Sequence, residues 1–220
     1  MKRQHLLAAL ALTAVTGCGA DNLTSIQVKG RALSSDPKTC KFSPGGEFIL
    51  GNGTYDTLVG GNFGIVLYVR NNLVDPHTID PGASTEANAW FVEAARVRVN
   101  PSDYVGAYKP SPALASITGD SVLPATGPVV EPAGGESTVA VNLLSDGIFA
   151  ALQSVSSGGQ VVLGVTLEGR TADGKLDAAE WFFPLEICAG CLGAPASCTS
   201  PQTLVANSCP IGQLGVAVCQ

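Results

Sequence analysis

Apolar and polar residues alternate along most of the chain, which is the pattern of β-strands. The alternation is clearest in five stretches that we predict to be strands, over 62–70, 89–99, 137–144, 160–169 and 176–187. Weaker strand patterns lie at 41–42, 48–50, 115–118 and 129–130. Between the last two long stretches, Asp173-Gly174 predicts a hairpin turn, since both central positions of that turn need a positive φ.

Two of these strands have a well-defined apolar face. In the stretch 62–70 this face holds Phe63, Ile65, Leu67 and Val69, and in the stretch 160–169 it holds Val161, Leu163, Val165 and Leu167. In the stretch 89–99 the face is interrupted by Glu93, which leaves the register of that strand open. Trp90 and Trp181 are predicted core aromatics. Pro184 lacks an N–H, so its strand should lie at an edge or place the proline where no ladder bond is needed.

A single helix is predicted in the chain that follows the N-terminal segment. Ser145-Asp146 has the side-chain oxygens of an N-cap, and apolar residues then recur at intervals of three and four up to Ser156. Gly158-Gly159 ends the pattern. We therefore expect one short helix between two strands.

The number of short strands predicts an all-β fold. Gly and Pro together make up 40 of the 220 residues (26 and 14), and only 14% of residues are charged, which favours strands joined by many turns. About seven short strands are typical of an immunoglobulin-like antiparallel β-sandwich. A jelly roll or an irregular barrel is the alternative.

The N-terminal residues predict export. Met1-Lys2-Arg3 is basic, residues 6–15 are apolar apart from Thr13, and Val15-Thr16-Gly17-Cys18 ends the segment with small residues before a cysteine. An apolar run of about ten residues is too short to span a bilayer and is typical of a signal peptide. The last four residues resemble the lipobox of bacterial lipoproteins, which implies that Cys18 is acylated and becomes the first residue of the mature chain.

These features divide the chain into four segments. They are a lipoprotein signal peptide at 1–17, a lipid-anchored flexible tether at 18–38, a β-sandwich domain at 39–188 and a Cys-rich loop tail at 189–220 that packs on the domain.

The charge of the mature chain excludes some partners. Removal of residues 1–17 takes away Lys2 and Arg3, so ten basic residues remain beside eighteen acidic ones and the net charge becomes about −8. Nucleic acids and anionic headgroups are therefore poor partners. We expect contact with the membrane to come from the N-terminal lipid, since two or more acyl chains anchor a protein stably.

Six cysteines follow Cys18, and an even number in an exported chain predicts disulfides. The candidates are Cys40, Cys188, Cys191, Cys198, Cys209 and Cys219. They allow at most three bonds, in pairings that the sequence leaves open. A zinc site or a redox-active pair at Cys188-Ala189-Gly190-Cys191 is the alternative, but export favours structural disulfides, so we expect no metal and no cofactor.

No catalytic motif stands out in the sequence. Residues 169–175 have the glycine spacing of a phosphate-binding loop, but Leu176 stands where Ser or Thr is needed and a strand follows, so a hairpin turn explains them. Asp75, His77 and Asp80 match no calcium loop. We find no G-x-S-x-G elbow and no Ser, His and Asp arrangement.

The residues from Phe183 to Leu192, F-P-L-E-I-C-A-G-C-L, resemble the end of the sandwich in a class of uncharacterised bacterial lipoproteins with a Cys-rich C-terminus. That family implies no activity. Gly19 after the acylated cysteine resembles the sorting pattern of outer-membrane lipoproteins.

The sequence therefore predicts a non-enzymatic binding or structural module of the bacterial cell envelope, whose partner is another envelope protein or a glycan. The alternative is an envelope hydrolase that uses carboxylates of the long loops, such as Asp103, Asp120 or Glu131.

Overall fold

A computed structural model describes most of the domain predicted from the sequence. The described residues are 25–34, 41–58, 60–80, 82, 85–154, 158–191, 204–206, 212–213 and 217–219, the last three groups as backbone only. The signal peptide, Cys18, Cys40, Cys198 and Cys209 lie outside these residues.

The described chain is built mostly from strands, as predicted. Ten strands form the body: β1 (Ile26–Ala32), β2 (Phe48–Ile49), β3 (Gly53–Asp56), β4 (Phe63–Asn71), β5 (Phe91–Val99), β6 (Gly119–Thr126), β7 (Glu136–Asn142), β8 (Gly159–Thr171), β9 (Gly174–Lys175) and β10 (Trp181–Cys188). Helix α1 (Asp146–Gln153) is the one α-helix among the described residues, and two short 3₁₀ helices cover Pro76–Thr78 and Thr85–Asn88. Three short strands follow in the tail, β11 (Leu204–Ala206), β12 (Gly212–Gln213) and β13 (Ala217–Cys219).

The strands of the body form one curled sheet in the order β2-β1-β4-β7-β6-β5-β8-β10-β3. Strand β6 turns the corner, because its residues 119–124 pair with β5 and its last two, Ala125 and Thr126, pair with β7. Neighbouring strands are antiparallel, except that β3 is parallel to β10. The curl gives the sheet an inner face that encloses the core and an outer face toward water.

The inner faces of β4 and β8 confirm the predicted alternation. Phe63, Ile65, Leu67 and Val69 are buried, and so are Val161, Leu163, Val165 and Leu167. Burying a side chain of this size contributes about 1.5–3 kcal/mol, so these eight residues supply much of the driving force for folding. Trp90 is fully buried and donates its indole N–H to the carbonyl of Leu176 at 2.7 Å, and Trp181 packs against the core from its edge.

The register that Glu93 left open is resolved by an irregularity in β5. The pairing of β5 with β8 shifts between Val92 and Ala94, which is the position of a β-bulge. Beyond it Ala95, Val97 and Val99 are buried, whereas Phe91 before it is 40% exposed. One extra residue reverses the faces of a strand, so a single alternation could not describe both halves.

The segment expected to be a flexible tether contains a core strand. Strand β1 pairs with β4, and Ile26, Val28 and Ala32 are buried. Its inward positions alternate evenly, but two of the four are Gly30 and Ala32, so only Ile26 and Val28 carry a visible apolar pattern. The domain therefore begins at or before Ile26, well ahead of the predicted boundary at residue 39.

The two weak strands predicted between residues 110 and 130 do not form where they were expected. The strand expected at 115–118 forms later, as β6, while Leu114 is buried beside a run of turns. The strand expected at 129–130 is a single bridge between Val130 and Trp90.

Pro184 lies inside the sheet, opposite Val162 of β8, one residue before β3 begins to pair with β10 at Leu185. Pro184 therefore has no partner in β3. This agrees with the second of its two predicted placements, a position where no ladder bond is needed.

Helix α1 confirms the predicted N-cap. The Ser145 hydroxyl accepts a hydrogen bond from the N–H of Ile148, and Ile148 and Leu152 are the buried residues of the helix. The helix ends at Gln153, and the residues 155–157 at its predicted end lie outside the described part.

Two asparagine side chains, the buried Asn71 and the half-buried Asn100, hold the long loops onto the sheet. The Asn71 amide donates to the carbonyls of Asn88 and Val130, at 2.8 and 2.9 Å. The Asn100 amide donates to Leu114 and Ile117, and its carbonyl accepts from the N–H of Val162. Each residue stands at or just after the end of a long strand, so the loops leave the sheet in fixed directions.

The tail returns to the body through its backbone. Strand β12 pairs with β4, with Gly212 opposite Gly64, while β11 and β13 pair with each other. In the described part of the chain, no helix is long and apolar enough to cross a membrane.

Candidate functional site

The outer face of the sheet carries an apolar groove between β4, β6 and β7. Its volume is about 330 Å³, near the lower end of small-ligand sites. It is lined by Phe42, Asn62, Gly64, Ile65, Val66, Pro124, Thr126, Ala140, Val141 and Asn142. None of the described residues that line it carries a charge.

Small residues on neighbouring strands make room for this groove. Val66 and Ala140 are paired across β4 and β7, and Ala140 is also opposite Thr126 of β6. Gly64 has no side chain, and Phe42 and Pro124 supply apolar walls from segments distant in sequence. The result is an apolar floor with amide and hydroxyl groups from Asn62, Asn142 and Thr126 nearby, which suits an uncharged ligand with a few polar groups.

Tyr68 lies two residues beyond Val66 on the same face of β4 and is itself buried. Its ring stacks on Phe48 with centroids 5.8 Å apart, and its hydroxyl donates to a carboxylate oxygen of Glu136 at 2.8 Å. Burial, followed by the hydrogen bond to Glu136 and its negative charge, raises the pKa of Tyr68 to about 12. The tyrosine is therefore neutral at ordinary pH and serves to fix β2 and β7 beside the groove.

The outer face of β5, β8 and β10 has the opposite character, because its charged side chains pair with one another. Arg96 binds Glu168 at 2.8 Å, and Arg170 binds Glu93 at 2.7 Å. Lys175 lies 3.5 Å from a carboxylate oxygen of Asp177.

Arg98 is the centre of this charged face. Its guanidinium binds the carboxylate of Glu180 through two nitrogens and that of Asp103 through two. The hydrogen bonds to Glu180 and then Asp103 raise the pKa of Arg98, and the bonds from Arg98 lower the pKa of Asp103. Asp103 is thus held as an ionised partner of Arg98, which is a structural arrangement.

Two of the three carboxylates considered for hydrolysis lie beside Arg98, and none of the three lines either described cavity. Asp103 binds Arg98, and Asp120 is the cross-strand partner of Arg98 in β6. Glu131 follows Val130 in a different loop and is exposed. None of them lines the groove or the second cavity, of about 320 Å³, between residues 33–34 and 43–47.

The Cys188-Ala189-Gly190-Cys191 turn contains a disulfide between its two cysteines, with Cα atoms 5.9 Å apart. The buried Asp56 of β3 lies against it, in register with Cys188. One Asp56 carboxylate oxygen accepts hydrogen bonds from the N–H groups of Gly190, at 2.7 Å, and Leu58, at 2.9 Å.

Asp56, Cys188 and Cys191 also form a group of potential metal ligands among the described residues. One ligand atom from each lies within 4.8 Å of the others. The two sulfurs are bonded to each other, so they offer no thiolate to a metal in this form. The group could ligate a cation only after reduction.

Other candidate residues are placed only in part. Cys219 lies in β13, described as backbone, while Cys18, Cys40, Cys198 and Cys209 lie outside the described residues. Asp75 and Asp80 take part in local turns, where the carbonyl of Asp75 accepts from Thr78 and the carboxylate of Asp80 accepts from Gly82.

Comparison with known proteins gives little guidance. No protein-family model matches the sequence, and no curated protein matches it. Among solved structures, the chain is similar to the ASH / PapD-like domain 7 of human CEP192, at 14% identity over 86% of this chain and 96% of that one, with a TM-score of 0.29. It is also similar to AggA, the major subunit of aggregative adherence fimbriae type I from Escherichia coli, at 8% identity over 63% of this chain and 89% of that one, with a TM-score of 0.25. Likenesses this weak carry no inference about function.

Proposed function

We propose that this protein is a lipid-anchored, non-enzymatic binding module of the bacterial cell envelope, placed at the outer membrane, with an immunoglobulin-like sandwich as its scaffold. The observation that carries the binding role is the uncharged groove of about 330 Å³ on the outer face of β4, β6 and β7. The partner we propose is an apolar segment of another envelope protein.

The position of β1 supports anchoring close to the membrane. Seven residues separate Cys18 from Ile26, and a chain of that length spans at most about 28 Å when fully extended. An acylated Cys18 would therefore hold the folded domain next to the headgroups. This linker is much shorter than the 18–38 tether, so the domain surface has a restricted set of distances from the membrane.

The chemistry of the groove supports a polypeptide partner. An apolar floor with amide and hydroxyl groups at hand can take one or two apolar side chains and hydrogen-bond the backbone that carries them. The neighbouring charged face of β5, β8 and β10 pairs its own charges, and therefore offers less to a partner.

Anchoring is tested by the mass of the protein extracted from its native membrane. We expect a chain that begins at Cys18 and carries acyl groups, and we expect a Cys18→Ser variant to leave the membrane fraction. An unmodified mature chain, or a Cys18→Ser variant that stays membrane-bound, would contradict the anchor.

Binding is tested by a photoreactive amino acid in place of Ala140, which is exposed on the groove floor. The matched control carries the same group at Ala150, which is exposed on α1. We expect one recurring protein adduct from position 140, lost when Val66→Arg places a charge in the groove. Equal adducts at both positions, or an adduct that survives Val66→Arg, would sink the groove as the binding site.

The non-enzymatic part of the proposal rests on two observations: Asp103, which lies near Asp120, is bound to Arg98, and Glu131 lies in a different loop. Turnover of ester, peptide or glycoside substrates by the purified domain, lost in Asp120→Asn, would favour the hydrolase alternative.

A further inference from the structure

The disulfide turn at the end of β10 is held by more than its covalent bond. The N–H of Gly190 donates to Asp56, and the carbonyl of Cys188 accepts from the backbone N–H of Thr57 at 2.7 Å and from its hydroxyl at 3.1 Å. Gly190 has a φ of +81°, which a glycine adopts without strain. These bonds would keep the two sulfurs facing each other after the disulfide is broken.

The covalent bond itself adds little to the stability of the fold. It closes a loop of about four residues, for which the chain-entropy model gives only about 2 kcal/mol, compared with about 4.7 kcal/mol for a loop of 100 residues. It also joins two residues of one turn and does not attach the C-terminal tail to the body. A purely structural role therefore explains its position poorly.

The surroundings of the sulfurs differ on the two sides of the bond. Cys191 is exposed, whereas Cys188 is half-buried at the end of its strand. A carboxylate oxygen of the buried Asp56 lies within 4.8 Å of both sulfurs. An incoming thiol can reach Cys191, and the sulfur it displaces would be that of Cys188, beside an acidic group.

We propose that Cys188 and Cys191 form a reversible dithiol–disulfide site that exchanges with an external dithiol. A thiolate of the reductant attacks the Cys191 sulfur, the Cys188–Cys191 bond breaks, and its electron pair stays on the Cys188 sulfur, which takes a proton from water. The second thiol of the reductant loses its proton, attacks the mixed disulfide and releases the Cys191 thiolate, which is then protonated. Two electrons and two protons pass from the dithiol to the pair, and the reductant becomes a disulfide.

Asp56 acts in this site as a positioning residue. Its hydrogen bond to Gly190 holds the turn, and a carboxylate charge near the Cys188 sulfur opposes the negative charge that this sulfur gains when the bond breaks. An Asp56→Asn variant keeps an oxygen acceptor for Gly190 and removes the charge. It should be reduced by dithiothreitol about tenfold faster than the unaltered protein.

The experiment treats the full mature chain with increasing dithiothreitol, followed by alkylation and fragment mass spectrometry that assigns each cysteine. We expect Cys188 and Cys191 to become alkylated together while the near-UV circular dichroism of the domain stays unchanged. Reduction of this pair only when the domain unfolds would overturn the proposal, and so would a bond from either residue to a third cysteine.

Two variants separate exchange from a general loss of stability. Asp173→Asn removes a charge from the β8–β9 turn, at the other end of β8 from Gly159, and should leave the reduction rate unchanged. A Cys188→Ser and Cys191→Ser double variant should keep the near-UV spectrum of the folded domain. An Asp56→Asn rate equal to that of Asp173→Asn would remove Asp56 from the site, and an unfolded double variant would show the bond to be structural. The proposal is independent of the groove and of the lipid anchor.

Discussion

The two halves of the outer sheet face share one core but meet water in different ways. Across β5, β8 and β10, basic and acidic side chains bind one another, with Arg98 held between Asp103 and Glu180. Across β4 and β7, the face has Val66 and Ala140 around an open groove. The inner faces of both halves are built from the same kind of β-branched and aliphatic residues.

This difference separates a face that pairs its own charges from a face that leaves apolar side chains at the surface. A solvated sheet face is ordinarily polar, and the charged half follows that rule. The half around the groove leaves apolar area in water, which folding alone does not require. The following predictions test whether the two halves share a core and differ in the role of their outer faces.

The largest effect is expected where both halves depend on the same residue. Phe183 of β10 has a fully buried ring that packs on Phe63 of β4 and on Trp181. We expect Phe183→Ala to lower the free energy of unfolding by about 3–5 kcal/mol. Chemical denaturation followed by fluorescence and by circular dichroism should give one transition.

The matched control is the next residue along the strand. Phe182 points outward and is half-buried against Tyr104, so Phe182→Ala should lower the free energy of unfolding by about 1 kcal/mol. Equal losses for the two variants, or two separate transitions for Phe183→Ala, would mean that the halves do not share one core.

The parts of this architecture that depend on local pattern could be predicted from the sequence. Strands β4, β7 and β8 have apolar residues at alternate positions over most of their length, and α1 has a clear N-cap at Ser145, so their positions are confirmed within a few residues. Strand β1 was missed because two of its four inward positions are the small residues Gly30 and Ala32, and β3 because four residues carry too short a pattern to recognise.

The sites depend on pairings that no local pattern contains. Val66, Pro124 and Ala140 come together through the pairing of β4, β7 and β6, and Phe42 reaches the groove from the segment before β2. Asp56 was overlooked beside the Cys188-Cys191 motif because β3 and β10 are parallel and separated by more than 100 residues.

The second prediction concerns pH and the half of the sheet beside the groove. The folded state raises the pKa of Tyr68 from 10.0 to about 12, so between these values the folded tyrosine keeps a proton that the unfolded chain loses. The stability that Tyr68 contributes is therefore complete below pH 10 and is lost as the pH rises through 12. The loss should be about 2 kcal/mol, measured by urea denaturation at several pH values.

A Tyr68→Phe variant isolates this effect from other groups that titrate in the same range. It should be less stable than the unaltered protein at pH 8 by about 1 kcal/mol, because the hydrogen bond to Glu136 is gone. Near pH 12 it should be the more stable of the two by about 1 kcal/mol, because only the unaltered protein has lost about 2 kcal/mol by titration. A difference that stays constant with pH would show that Tyr68 does not titrate in this way.

The third prediction tests the charged half. Glu180→Gln leaves Arg98 with one full carboxylate partner, and because Glu180 and Arg98 are only 21% and 31% exposed, we expect a loss of about 1 kcal/mol in the free energy of unfolding. Glu186→Gln, an exposed change on the same strand, should have almost no effect. Equal losses would mean that the ion pairs of this face do not hold the sheet.

The smallest effect on stability is expected in the groove, and there it should coincide with the largest effect on binding. Val66 is half-buried in the groove floor, so Val66→Thr keeps the shape of the side chain while adding a hydroxyl to a partly hydrated site. We expect a loss of about 0.5 kcal/mol in unfolding free energy, together with a clear loss of the photo-adduct from position 140. The control is the reverse change, Thr166→Val, at an outward position of β8 in the charged half. It should alter neither the unfolding free energy nor the photo-adduct strongly. If Val66→Thr lowered stability as much as Phe183→Ala, the groove would be part of the core and the contrast between the two faces would fail.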